Sequence, residues 1–177
     1  DRSEKFFNLQ LHNLQSGSLK TVAKNPGHII SWYTDKDGVI RIRLWVDENE
    51  DDRFEYRTND ESPWKEINPG TDSFGILFLD EPEKIIAFVR PKGEAHVIGR
   101  YFDCSQNAEY GTPIIDPEYD VIPDQYMVDP ENESTFGFSY QAEKRVTVWL
   151  SNHHQELQTR IDSIHPDTIN EVHGFTM

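Results

Sequence analysis

Apolar and polar residues alternate along most of the chain, most regularly between Asn25 and Asp52. Within this stretch the apolar side chains of one strand fall on one face, at Ile40, Ile42, Leu44 and Val46. Arg41, Arg43 and Trp45 fall on the opposite face. Such period-two alternation is typical of a strand with one buried face. The preceding run Asp35-Lys36-Asp37-Gly38 is made of turn-forming residues, so the stretch is predicted to be a β-hairpin.

The same alternation predicts further strands along the chain. They are placed at residues 6–11, 19–22, 53–57, 64–67, 75–79, 84–89, 96–103, 136–140 and 146–150, with another beginning at Ile169 and running to Met177. A long loop is predicted from Cys104 to about Asp129, containing two short strand-like pairs, Ile114-Ile115 and Val121-Ile122.

One segment has helical periodicity. Residues 152–164 place Leu157, Ile161 and Ile164 at i, i+4 and i+7. Ser151 or Asn152 is available as the N-cap, and His165-Pro166 ends the helix.

Three hairpin turns can be superimposed in sequence. They are Asp37-Gly38-Val39-Ile40, Glu83-Lys84-Ile85-Ile86 and Glu143-Lys144-Arg145-Val146, about 46 and 60 residues apart. This spacing suits four-stranded propeller blades of about 40–50 residues. The predicted fold is therefore all-β, with about three to four antiparallel blade-like sheets of a partial β-propeller. A single domain, 1–177, would hold repeats near 6–67, 74–129 and 134–177, the last with a helical insertion at 152–164. A β-sandwich is the alternative.

The charge excludes several functions. A formal net charge of −15 repels phosphate backbones and anionic lipids, which argues against nucleic-acid binding. No apolar run is long enough to span a membrane, so no membrane insertion is expected. No signal peptide is present, although the sequence begins at Asp1 and looks trimmed. The compartment, periplasmic, extracytoplasmic or cytoplasmic, stays open. A lone cysteine, Cys104, rules out an intrachain disulfide and is predicted to be a small apolar core residue.

Each candidate for chemistry also has a simpler explanation. His153-His154 begins the predicted helix, where adjacent side chains diverge and suit solvent better than a shared metal. Asp35-x-Asp37-Gly38 lacks the glutamate that closes a calcium loop. The acidic set Asp116, Glu118 and Asp120 could form a carboxylate pair of glycosidase type, but such sets arise by chance in an acidic chain. Asn132-Glu133-Ser134 fits a glycosylation sequon, and Trp45 could be a surface contact. No catalytic, cofactor-binding or metal-binding residue is assigned, and no cofactor is expected.

Three segments carry a resemblance to a known family. Asn25-Pro26-Gly27-His28-Ile29-Ile30-Ser31-Trp32, followed by residues 35–41, resembles a blade junction in the N-terminal β-propeller of S9 (prolyl oligopeptidase-type) serine peptidases. Within that family the stretch most resembles the bacterial acylaminoacyl-peptidase and dipeptidyl-aminopeptidase-like proteins. Phe7-Asn8-Leu9-Gln10-Leu11 with Ser16-Gly17-Ser18-Leu19 resembles the preceding blade edge. Gly137-Phe138-Ser139-Tyr140 to Trp149, with Leu157, Arg160, Ile161, Pro166 and Asn170, is similar to a strand-pair-plus-helix insertion.

The resemblance implies a non-catalytic propeller segment that gates or selects peptide-like substrates. Its partner would be a C-terminal α/β-hydrolase domain, whose serine lies in a Gly-x-Ser-x-Gly elbow. The sequence contains no Gly-x-Ser-x-Gly, so the chain alone is expected not to be an enzyme. Unpaired blade edges would favour association between copies. The alternatives are a free-standing propeller-like interaction module and a small all-β hydrolase that uses carboxylates.

Overall fold

Strands dominate the computed structural model, which describes residues 7–166, 168, 170 and 172. The strands are β1 Leu9–His12, β2 Leu19–Ala23, β3 Ile29–Thr34, β4 Ile40–Val46, β5 Asp52–Tyr56, β6 Lys65–Ile67, β7 Ser73–Phe78, β8 Lys84–Val89, β9 Ile98–Asp103, β10 Ala108–Glu109, β11 Pro123–Val128, β12 Thr135–Gln141 and β13 Arg145–Trp149. Among the described residues one helix, α1 Asn152–Ile164, follows them. The prediction of an all-β chain with several antiparallel sheets and a helix at 152–164 is confirmed.

Each sheet is built from strands that follow one another in sequence. The N-terminal hairpin pairs β1 with β2. The second sheet has the order β3-β4-β5-β6, the third β7-β8-β9-β10, and the fourth β11-β12-β13. All neighbouring strands are antiparallel. The chain divides into two compact units, Asp1–Ile122 with the first three sheets and Pro123–Met177 with the fourth sheet and α1.

The core of the first unit lies between the second and third sheets. The second sheet contributes Ile42, Leu44, Phe54, Tyr56 and Ile67, and the third contributes Ile85, Ala87, Val89, Phe102 and Cys104. Strand β4 shows the predicted alternation, since Ile40, Ile42 and Leu44 are buried while the residues between them are partly exposed. Val46 departs from this pattern because it pairs with Asp52 at the strand end, and it is 39% exposed. Removing these side chains from water supplies the main driving force for packing the two sheets.

A tight backbone contact joins the two sheets at Gly70. A Cβ built at this position would lie 2.8 Å from Cβ and Cγ1 of Val89, a core residue of β8. Gly70 also has a φ of 154°. Only glycine fits such a close approach without displacing the core.

The loop predicted from Cys104 to about Asp129 is more structured than expected. It contains β10 and the six-residue strand β11, which pairs along β12. Ile114 forms an isolated bridge with Gly99, while Val121 is buried and its N–H donates to the carbonyl of Val97. Strand β11 escaped prediction because Pro123 opens it and its first residues are polar, as is common on edge strands.

The second unit combines a three-stranded meander with α1. Phe138 and Tyr140 of the central strand β12 are buried. The helix has the predicted bounds and its N-cap is Ser151, whose side chain makes no capping hydrogen bond. Of the strand predicted from Ile169 to Met177, Asn170 and Val172 are described and belong to no strand, and the other residues lie outside the described part of the chain.

Candidate functional site

A polar cleft of about 440 Å³ lies in the second unit. Its β-strand wall is formed by alternate residues of β13, namely Arg145, Thr147 and Trp149. Its helical wall is formed by Gln155, Gln158 and Asp162 of α1, and the segment after the helix adds His165, Pro166, Thr168 and Asn170. Period two on the strand and the spacing i, i+3, i+7 on the helix bring these polar residues together.

Hydrogen bonds hold one end of the cleft in a fixed arrangement. Gln158 Nε2 donates to Asp162 Oδ1 and to the Asn170 carbonyl, both at 2.9 Å. Asn170 Nδ2 donates to the same Asp162 oxygen at 3.1 Å and to the His165 carbonyl. The Asp162 carboxylate is held in place because it accepts two amide N–H groups. This network therefore fixes the segment after α1 against the helix.

Arg145 is fixed by residues of β11. Its guanidinium donates to Asp124 Oδ2 at 2.8 Å and to Gln125 Oε1 at 3.0 Å. Asp124 Oδ1 accepts a hydrogen bond from the buried Ser139 hydroxyl at 2.8 Å. The Ser139 hydroxyl therefore donates to a carboxylate that an arginine neutralises, whereas a nucleophilic serine donates to an imidazole base. This arrangement favours a structural role for Ser139 over a role as a catalytic nucleophile.

His154 stacks in an aromatic cluster. Its ring lies 4.2 Å from that of Phe136 and 5.8 Å from that of Trp149, with interplanar angles of 12° and 17°. Burial, and to a smaller extent the neighbouring His153, lowers the pKa of His154. The prediction that both histidines face solvent is right for the exposed His153 and wrong for the half-buried His154. The two rings diverge at 79°, and the described residues hold no cluster of three metal-ligating side chains.

The Asp35 turn is structural. Asp35 Oδ1 accepts hydrogen bonds from the backbone N–H groups of Asp37 and Val39, and Oδ2 accepts one from Arg41 Nε at 2.6 Å. Gly38 has a φ of 75°. Both carboxylate oxygens are thus used within the hairpin, which confirms a turn.

Two of the three acidic residues at 116–120, Asp116 and Asp120, are engaged, while Glu118 is exposed. Asp116 Oδ1 accepts the N–H groups of Glu118 and Tyr119. Asp120 Oδ1 accepts the Val97 N–H at 2.7 Å, and the carboxylate forms an ion pair with Arg90 and lies 3.6 Å from His96 Nδ1. These carboxylates fix turns and a strand end rather than forming an acid–base pair.

The three remaining candidates, which are the sequon, Cys104 and Trp45, lie in three different environments. Asn132 lies on an exposed turn, where its Oδ1 accepts hydrogen bonds from the N–H and hydroxyl of Ser134. Cys104 is buried in the core between the second and third sheets, and burial strongly raises the pKa of its thiol. Trp45 is half-buried and meets the His28 ring edge-on at 5.6 Å.

Sequence reasoning missed an Arg–Trp cluster on the outer face of the second sheet. The guanidinium carbons of Arg43 and Arg57 each lie 4.5 Å from the centre of the Trp64 ring. Arg43 also donates to Glu55 at 2.6 Å, and Trp32 lies 6.4 Å from Trp64. Cation–π contacts and ion pairs give the arginines of this face their partners. Arginine can therefore occupy the positions of β4 between the buried apolar residues. The alternation of Arg41 and Arg43 on β4 was the available signal.

No family model, curated protein or solved structure matches the chain. Among the described residues, no helix is both long and apolar enough to cross a bilayer.

Proposed function

We propose that the chain is a non-catalytic segment of a larger β-propeller. In the parent protein it would gate or select peptide-like substrates for an S9-type serine hydrolase domain outside this sequence. The observation that carries the proposal is the order of the strands. Two successive sheets each consist of four consecutive strands, and they pack through one buried apolar interface. Propeller blades are built in this way.

The strand order favours this architecture over a β-sandwich. Sandwiches of the immunoglobulin type exchange strands between their two sheets through Greek-key connections. Here no strand of the second sheet pairs with the third among the described residues, because the chain completes one meander before it starts the next. The two-stranded N-terminal hairpin and the three-stranded fourth sheet then correspond to incomplete blades.

The side-chain chemistry supports a non-catalytic role. The buried Ser139 is bonded to Asp124, the thiol of Cys104 is buried, and the carboxylates of Asp116 and Asp120 are held by backbone N–H groups. A hydrolase that uses carboxylates needs an acid and a base free to reach substrate, and these groups are already committed. The cleft beside β13 is lined by amide, hydroxyl, charged and aromatic side chains, a set suited to binding polar chains.

A serine-reactive fluorophosphonate probe tests the proposal. The 177-residue chain and the longest natural reading frame that contains it are each incubated with the probe. We expect labelling of the long protein at a serine outside this sequence and none of the 177-residue chain. Ser139→Ala is the control for the buried serine. Labelling of the short chain that Ser139→Ala removes would overturn the non-catalytic role, and a reading frame with no serine hydrolase elbow would overturn the link to S9 peptidases.

A further inference from the structure

Charge is distributed unevenly along the chain. Residues 5–34 contain Lys5, Lys20 and Lys24 and no Asp or Glu, whereas the rest of the chain holds all 32 acidic residues and 14 of the 17 basic ones, since 17 minus 3 is 14. The formal charges are therefore +3 for this stretch and −18 for the remainder. At the average frequency of the chain, thirty residues would contain roughly five acidic ones. Residues 5–34 therefore form a basic segment in an otherwise acidic chain.

The N-terminal hairpin also exposes large apolar side chains. Phe7 is 69% exposed, Leu11 61%, Leu14 88% and Leu19 63%. Lys20 and Lys24 are exposed beside them. A surface that combines apolar side chains with charge of one sign is typical of a protein-binding site.

Both strands of the hairpin have an open edge. Within the part of the chain that the structure describes, β1 and β2 pair with each other alone. Natural edge strands are protected by charge, proline or cover, and here Lys20 is the only charged residue within the two strands. Open backbone groups can therefore accept another strand.

The hairpin is nevertheless a built unit. At its tip, Asn13 Oδ1 accepts the N–H groups of Gln15 and Ser16. At its base, the Phe7 carbonyl accepts hydrogen bonds from Trp32 Nε1 and Asn25 Nδ2, and Asn8 Oδ1 accepts the Asn25 N–H. A rigid, pre-formed element loses little entropy on binding.

We propose that the N-terminal hairpin docks onto the acidic surface of a second copy of this chain. Charge complementarity identifies the occupant, because residues 5–34, which include the hairpin, carry +3, whereas the remainder of a partner copy carries −18. A two-fold contact between two hairpins would bring like charges together instead. A head-to-tail contact leaves a free hairpin at one end, so association can repeat and give a range of masses. This proposal rests on charge and exposure, and it is independent of whether the parent protein hydrolyses peptides.

Sedimentation velocity of the whole chain tests the proposal. We expect the average mass to rise with protein concentration at low salt, and raising NaCl from about 50 to 500 mM to weaken association about tenfold, because salt screens exposed charges. The double variant Lys20→Glu, Lys24→Glu should weaken association about tenfold or more. Lys144→Glu, an exposed charge reversal outside the hairpin, is the matched control and should leave the mass unchanged. Leu11→Asn removes an exposed apolar side chain of the hairpin and should also weaken association. Circular dichroism checks that each variant is folded.

Three results would overturn the proposal. The first is a monomer at all concentrations. The second is association that salt strengthens and that the Lys20→Glu, Lys24→Glu variant retains, since this would indicate apolar contact between hairpins or other open edges. The third is binding to phosphatidylserine vesicles that the same variant abolishes while self-association persists, because the hairpin would then recognise an anionic lipid surface.

Discussion

Asn25 is expected to be the residue that fixes the N-terminal hairpin to the second sheet. Its Oδ1 accepts the N–H groups of Gly27, His28 and Ile29, and its Nδ2 donates to the carbonyls of Ile29 and Phe7. The three part-buried bonds, to Gly27 N, Ile29 N and the Ile29 carbonyl, cannot be replaced fully by water. At about 1 kcal/mol each, Asn25→Ala should lower the free energy of unfolding by about 3 kcal/mol.

Asn25→Asp separates the two roles of this side chain. An aspartate keeps an acceptor for the three N–H groups but places an oxygen where Nδ2 lies 2.5 Å from the Ile29 carbonyl. The aspartate keeps the part-buried bonds from the N–H groups of Gly27 and Ile29 and loses the bond to the Ile29 carbonyl. Asn25→Asp should therefore lower the free energy of unfolding by more than about 1 kcal/mol, but by less than Asn25→Ala.

Urea denaturation and amide hydrogen exchange measure these effects. Peptides covering β1 and β2 should exchange faster in both variants, because the base of the hairpin is released. Asn59→Ala is the matched control: Asn59 Oδ1 accepts the Glu61 N–H and the Ser62 hydroxyl within one exposed turn, so the loss should stay below about 1 kcal/mol. The reasoning is refuted if Asn25→Ala costs no more than this control and leaves exchange in the hairpin unchanged.

Three other perturbations test separate parts of the structure. Gly70→Ala should lower the free energy of unfolding, measured in urea, by more than about 3 kcal/mol, because its methyl group would overlap Val89. Gly111→Ala is the control: the nearest atoms lie 3.8 Å away and φ is 68°, so the loss should be about 1 kcal/mol. Equal losses for the two variants would contradict the overlap at Gly70. Trp64→Leu should cost about 1–2 kcal/mol by removing the ring that both Arg43 and Arg57 contact, and a loss under about 0.5 kcal/mol would exclude a stabilising cation–π cluster. The lowered pKa of His154 means that the folded state favours the neutral ring, so thermal stability should fall as the pH drops below about 6.5 and stay level above it. His154→Phe should remove that dependence and His153→Phe should not, as scanning calorimetry across about pH 5–8 would reveal.

Local patterns predicted the elements well. Strand β4 and its turn follow from strict alternation and from Asp35 and Gly38, all within a dozen residues. Helix α1 follows from Leu157, Ile161 and Ile164 and from the proline after it. These signals are read from neighbours in the chain, so no tertiary information is needed.

Features that depend on distant partners were not predictable. Strand β11 is defined by its pairing with β12, since its own sequence begins with proline and polar residues. The stacking of His154 depends on Phe136, eighteen residues earlier, and the cleft requires β13 and α1 to face each other. Periodicity says which face of an element is apolar, but not which other element covers it.

The sequential order of strands has a consequence for how the chain reaches its native state. Every described strand pairs with a strand adjacent to it in sequence, so each sheet forms by closing short loops, at a small cost in chain entropy. Low contact order of this kind favours rapid formation of individual sheets, with the apolar interface around Cys104 assembling afterwards. As the single thiol of the chain, Cys104 is a built-in kinetic reporter: a thiol reagent can reach it only when the second and third sheets separate, so its labelling rate measures that opening.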